Sequence, residues 1–106
     1  AGHVFVGANV ENAAYPEGIC AEASAIAAMV AAGEREIDQL VTVCGDDVRP
    51  SLADTVGTCC GGCRQKIREF ATSTTVVHNA DPMGIRRSFT IDALLPGSFG
   101  PGHLLD

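Results

Sequence analysis

The chain has 106 residues, 46% of them hydrophobic, which suits one domain with one core and excludes a low-complexity or repeat protein. A net charge of −6 and an aromatic content of 5% with no Trp argue against a polynucleotide partner, which attracts basic surfaces and stacks on aromatic rings. The longest apolar stretch, Ala23 to Ala32, is too short to span a bilayer. No signal-peptide pattern opens the chain, so a cytoplasmic location and no membrane partner are expected.

In chain order, His3 to Asn9 alternates weakly and predicts a strand. Asn9 to Ile19 carries Asn, Tyr-Pro and Glu-Gly and predicts a loop. Cys20 to Ala32 is rich in Ala, Ile and Met, has no breaker and ends at Gly33, which predicts a mostly buried helix. Leu40 to Cys44 reads as a buried strand, with Cys44 a small core residue. Gly45 to Thr58 is polar and predicts a loop. Cys60 to Phe70 reads as a second helix, with Ile67 and Phe70 on one face. Thr74 to His78 and Arg87 to Ile91 read as strands around an Ala80–Gly84 turn, followed by a helical turn over Asp92 to Leu95. A β-α-β-α-β-β order predicts helices packed on a mostly parallel sheet. The last connection is too short for a parallel crossover, so the last two strands form an antiparallel hairpin.

Five cysteines are an odd number, and clustered cysteines in such a chain read as metal or redox sites before disulfides. Cys60-Gly61-Gly62-Cys63 offers two thiols at a helix start, where the glycines let backbone N–H groups approach sulfur. Taken alone, that pair is equally a redox couple or half of a structural zinc site. Cys20, at the start of the other helix, supplies a third thiol, with Glu22 two residues on. Three protein ligands leave one zinc position open, as catalytic zinc requires. Three thiolates on a zinc dication leave a charge of −1, which two helix N-termini partly offset. Cys20, Cys60 and Cys63 with Glu22 fit the zinc deaminase pattern, in which a non-ligating Glu carries protons while water attacks C4 of a cytosine. A structural zinc module has no need of Glu22.

The run Asn9-Val10-Glu11-Asn12-Ala13-Ala14-Tyr15-Pro16-Glu17-Gly18-Ile19-Cys20-Ala21-Glu22 closely resembles the central motif of the homotetrameric cytidine deaminases. Cys60-Gly61-Gly62-Cys63-Arg64-Gln65 is similar to that family's second motif, and Leu94 to Gly100 to its C-terminal segment. The resemblance implies a three-layer α/β/α sandwich with a mixed sheet and one zinc per chain, acting on cytidine or 2′-deoxycytidine in pyrimidine salvage. It implies that Asn9 and Glu11 hold the ribose 3′-hydroxyl and that Ala21 and Glu22 meet the base. Tyr15 and Phe99 would line the pocket of a neighbouring subunit in a homotetramer with shared active sites. It also implies a free nucleoside rather than nucleic acid, because polynucleotide deaminases of the superfamily place a helix between the last two strands. A close variant, the blasticidin S deaminases, shares the Cys-Ala-Glu and Cys-x-x-Cys motifs, but Asn9 and Glu11 favour ordinary nucleosides.

Three positions depart from the pattern. Ala23 stands where the family has an Arg that donates to the sulfurs, so an enzyme slower or zinc-leakier than its relatives is expected unless Arg64 compensates. Cys59 stands where it has Pro, and is expected to be a spectator. Residues 1–106 read as a single cytidine deaminase-like domain lacking the family's N-terminal helix and first strand.

Overall fold

The computed structural model describes residues 2–43 and 61–105. Its elements are α1 (Ala21–Ala31), β1 (Ile37–Val43), α2 (Gly61–Phe70), β2 (Ala71–Asp81), β3 (Gly84–Thr90), α3 (Ile91–Leu94) and α4 (Gly102–Leu105). Cys44, Cys59 and Cys60 lie outside the described residues.

Helix α1 begins at Cys20, whose extended backbone (φ −74°, ψ 151°) places it at the N-cap. It ends where Gly33 takes φ +92°, a conformation glycine adopts without strain. There Gly33 N donates to Val30 O (3.0 Å) and Glu34 N to Met29 O (3.1 Å), which closes a Schellman motif over the helix's last carbonyls.

The sheet order is β1-β2-β3, parallel between β1 and β2 and antiparallel between β2 and β3. The mixed sheet and the antiparallel last pair are as expected. Leu40 pairs with Val77, and this face packs on Ile26 and Met29 of α1 and on Cys63 and Ile67 of α2. Ile91 and Leu94 of α3 close the same core. Ile67 and Val77 are fully buried, each contributing about 1.5–3 kcal/mol of apolar transfer. On the other face, Val41 and Ser88 are exposed.

All three strands begin earlier than the apolar pattern predicts. β1 starts at Ile37, and Asp38 and Gln39 belong to it although both are exposed. β2 starts at Ala71, where Thr72 N donates to Thr75 Oγ1 (2.9 Å) and Thr75 Oγ1 donates to the carbonyl of Ile37. β3 starts at Gly84, so the turn shrinks to Pro82 and Met83. Asp81, whose side chain is wholly buried, fixes this turn. Its Oδ1 accepts from Met83 N (2.8 Å) and its Oδ2 from Arg86 Nε (2.9 Å). Asp81→Ala is expected to lower unfolding free energy by about 2–4 kcal/mol, since it strips a charge-assisted pair and leaves an amide unsatisfied. Urea melts check this, and a loss under about 0.5 kcal/mol, as for an ordinary surface change, contradicts it.

Residues 3–9 correct the strand prediction. Phe5 packs against the core and Val4 and Val6 are exposed, yet these residues carry no ladder. Alternation sets which side chains face inward but cannot supply a backbone partner. Instead a cavity of about 640 Å³ lies between residues 2–7 and β1, with Ala21, Glu22 and Ala25 also on its wall. Beside it Gly7 passes against α1 so closely that a Cβ there would overlap Ala21 O, Ala25 N and Ser24 Cβ. Two of these are backbone atoms within the helix and cannot turn aside. Gly7→Ala is therefore expected to cost about 1–3 kcal/mol. Denaturant melts alongside zinc analysis check it, because the displaced turn carries Glu22, and an unchanged melt refutes it.

Candidate active site

The head of α1 carries the first half of the candidate site. Val10 and Ile19 exchange backbone hydrogen bonds (2.9 and 3.0 Å) as an isolated antiparallel bridge. The bridge folds residues 10–19 into a closed loop that returns Asn9 and Glu11 towards Cys20. Asn9 Nδ2 donates to Glu11 Oε1 at 2.9 Å, so these two residues form one polar unit, exposed at the loop base. Within the loop, Asn12 Oδ1 accepts from Ala14 N (2.9 Å) ahead of a 3-10 turn over Tyr15–Glu17.

Cys20 makes no side-chain capping bond, which leaves its thiol for another ligand. The N–H groups of the helix's first turn and the positive end of its dipole lie at this thiol. Glu22 sits in that first turn, half-buried, with no hydrogen bond or ion pair among the described residues. Ala21 and Glu22 share the wall of the cavity, as residues expected to meet one base should.

The second half is the head of α2. Cys63 is 0% exposed and lies in the core cluster, against which Cys20 also packs. Neither cysteine is in a disulfide. Cys60 is adjacent in sequence to Gly61, where α2 begins, but lies outside the described residues. Among the described residues no three His, Cys, Asp or Glu side chains group as metal ligands. The donor set still suits zinc: two cysteines from the heads of two packed helices, with the third expected ligand preceding the second helix.

A Cβ at Gly61 or Gly62 would meet nothing among the described residues. Arg64 directs Nη1 to the carbonyl of Leu94 (2.7 Å), one of its contacts. The histidines lie elsewhere. His3 pairs with Glu34 (3.0 Å), His78 bridges Ser88 and Gln39, and His103 stacks on Phe99.

Tyr15 is 87% exposed and Phe99 56% exposed, so both point their rings outward rather than into their own subunit's core. Residues with no sequence signal also shape the site. Gly7 seats the first turns of α1, while Gln65 and Arg68 hold the segment around Phe99. Only a folded contact reveals why these residue types stand there.

The profile of the cytidine and deoxycytidylate deaminase zinc-binding region matches residues 1–79. The chain belongs to the cytidine deaminase family. It is 43% identical to the cytidine deaminase of Mycoplasma pneumoniae over 96 residues, which are 90% of this chain and 68% of that protein. With the cytidine deaminase of Halalkalibacterium halodurans it shares 35% identity over 98 residues, 92% of this chain and 69% of the relative. Its fold matches the crystal structure of cytidine deaminase from Burkholderia pseudomallei with a TM-score of 0.74 at 35% identity, covering 92% of this chain and 73% of that one. The enzyme from Mycobacterium tuberculosis gives 0.65 at 31%, covering 93% and 71%. Membership in this family makes the chain a zinc-dependent hydrolase with an α/β deaminase fold. None of its described helices is long and apolar enough to cross a membrane.

Proposed function

We propose that this chain hydrolyses cytidine or 2′-deoxycytidine to the uridine product and ammonia, in cytoplasmic pyrimidine salvage, as a homotetramer with shared active sites. The observation that carries the reading is the pairing of two helix heads. Cys20 caps α1 with an unbonded Glu22 in its first turn, and Cys63 is buried in the first turn of α2 within the same core. Cys20, Cys60 and Cys63 would hold the zinc. When bound, the ion supplies the Lewis acidity that makes water acidic enough to react at neutral pH.

Glu22 accepts a proton from that water and delivers it to N3 of the base. The water oxygen bonds to C4, Glu22 then takes the proton of the new C4 hydroxyl and passes it to the exocyclic amine, and the C4–N bond breaks to release ammonia and leave the C4 carbonyl. The bonded Asn9–Glu11 unit, exposed beside Cys20, takes the ribose 3′-hydroxyl with one acceptor and one donor. Ala21 shares the cavity wall with Glu22 and offers its backbone to the base. The outward rings of Tyr15 and Phe99 would close a neighbouring subunit's pocket, which supports the tetramer.

The cavity between residues 2–7 and β1 supports the implied N-terminal strand. It follows a seven-residue strand whose outer edge has no backbone partner among the described residues, and we take it as the seat of one further strand.

Purified protein is assayed by the fall in ultraviolet absorbance as cytidine is consumed, with blasticidin S in parallel. Turnover of cytidine and deoxycytidine well above that of blasticidin S supports the reading. No turnover of any of them by zinc-loaded protein overturns it.

A further inference from the structure

Three side chains of α2 fasten the C-terminal segment, and one of them closes over a glycine. Arg64 Nη1 donates to Leu94 O at 2.7 Å, Gln65 Nε2 to Phe99 O at 2.8 Å, and Arg68 Nε to Ser98 Oγ at 2.8 Å. Gly100 is buried, and a Cβ built on it would run into the Arg68 guanidinium at Cζ and both terminal nitrogens. Its φ is not positive, so the backbone does not require glycine there. The guanidinium occupies the space a Cβ would take. Beyond it, Gly100 N donates to His103 Nδ1 (2.8 Å), and the His103 ring stacks on Phe99 at 5.3 Å.

Phe99 thus lies between two residues gripped by Arg68, with its own carbonyl held by Gln65. Its ring is 56% exposed, and His103 is the ring recorded against it. Burial cannot aim a ring so exposed, so its direction is set by the backbone on either side. We propose that Arg68 is a positioning residue for the reaction: seated over Gly100 and bonded to Ser98, it fixes the direction in which Phe99 projects to cover substrate. This rests on the reading of Phe99 as a pocket wall. Arg68 lies more than a helical turn beyond Cys63, so its loss leaves the metal ligands and Glu22 in place. The effect therefore falls on substrate binding rather than on proton transfer.

The test uses the full chain with Arg68→Ala, Gly100→Ala, the double variant and Phe99→Ala. Arg68→Ala and Gly100→Ala are each expected to raise KM for cytidine about tenfold while kcat stays within about twofold. The double variant should do no worse than either single one, because both changes empty the same seat. The chain has no Trp, so Phe99→Trp places a single indole at the position in question. In that background Arg68→Ala should lower the fluorescence anisotropy. A raised KM in Phe99→Ala with an unchanged KM in Arg68→Ala, additive effects in the double variant, or an unmoved anisotropy overturns the proposal. An unchanged KM in Phe99→Ala instead removes the pocket-wall reading, and the role of Arg68 falls with it.

Discussion

Glu22→Gln is expected to lower kcat for cytidine at least about a thousandfold while zinc stays at one per chain. The amide keeps the size of the side chain and one acceptor oxygen, but it cannot accept and release a proton at neutral pH. One carboxylate serves several transfers here, from water to N3 and then to the departing amine, so no step escapes its loss. Glu22 has no hydrogen bond or ion pair among the described residues, which leaves no structural role for the change to disturb. Thermal melting should therefore match wild type. KM should rise little, since the ring nitrogen can still receive a hydrogen bond from the amide. The checks are steady-state kinetics, metal analysis and a melting curve on one preparation. A kcat within tenfold of wild type would mean that some other group carries the proton, and the assignment of Glu22 would be wrong.

How far the sequence foretold this molecule depended on whether the relevant force was local. α1 was legible because its ends are local events: Cys20 in extended conformation before a breaker-free run, and Gly33 at φ +92° after it. The β2–β3 hairpin was legible because a short connection allows no crossover. Strand starts were not. Thr72 and Thr74 read as polar, and their hydroxyls bond to each other (3.0 Å) while Thr72 N and Thr74 N donate to the hydroxyls of Thr75 (2.9 Å) and Thr72 (3.3 Å), so the register runs irregularly from Ala71 to Val76. Asp38 and Gln39 hid the start of β1 in the same way, because a ladder is made by the main chain and tolerates exposed polar side chains. Residues 3–9 failed in the opposite direction. Their alternation is real, with Phe5 inward and Val4 and Val6 outward, but no neighbouring strand is bonded to them. At the site, Cys20, Glu22 and Cys63 stood out by spacing and helix position. Gly7 and Gly100 did not, because their meaning lies in a helix backbone and a guanidinium distant in sequence. The role of Phe99 came from resemblance alone.

Cys63→Ala tests whether the buried thiol is a ligand or merely a small core residue. Its full burial, among Ile67, Val77, Ile91 and Leu94, permits both readings. They differ in magnitude. As packing, the sulfur is worth on the order of 1 kcal/mol of transfer, with a small void left behind. As a ligand, its removal breaks a metal tie between the heads of α1 and α2, and metal binding couples directly to folding free energy. The ligand reading predicts that zinc falls from one per chain to about a tenth or less, that deamination is lost, and that the melting midpoint drops by about 10 °C or more. Cys63→Ser separates the two further. It nearly restores the volume but offers a hard oxygen that zinc binds poorly beside thiolates. It should therefore lose metal like the alanine variant and melt within a few degrees of it, close to wild type stripped by a chelator. If Cys63→Ser instead keeps its zinc and its midpoint, the sulfur is packing, and the metal has to be held by cysteines other than the buried one.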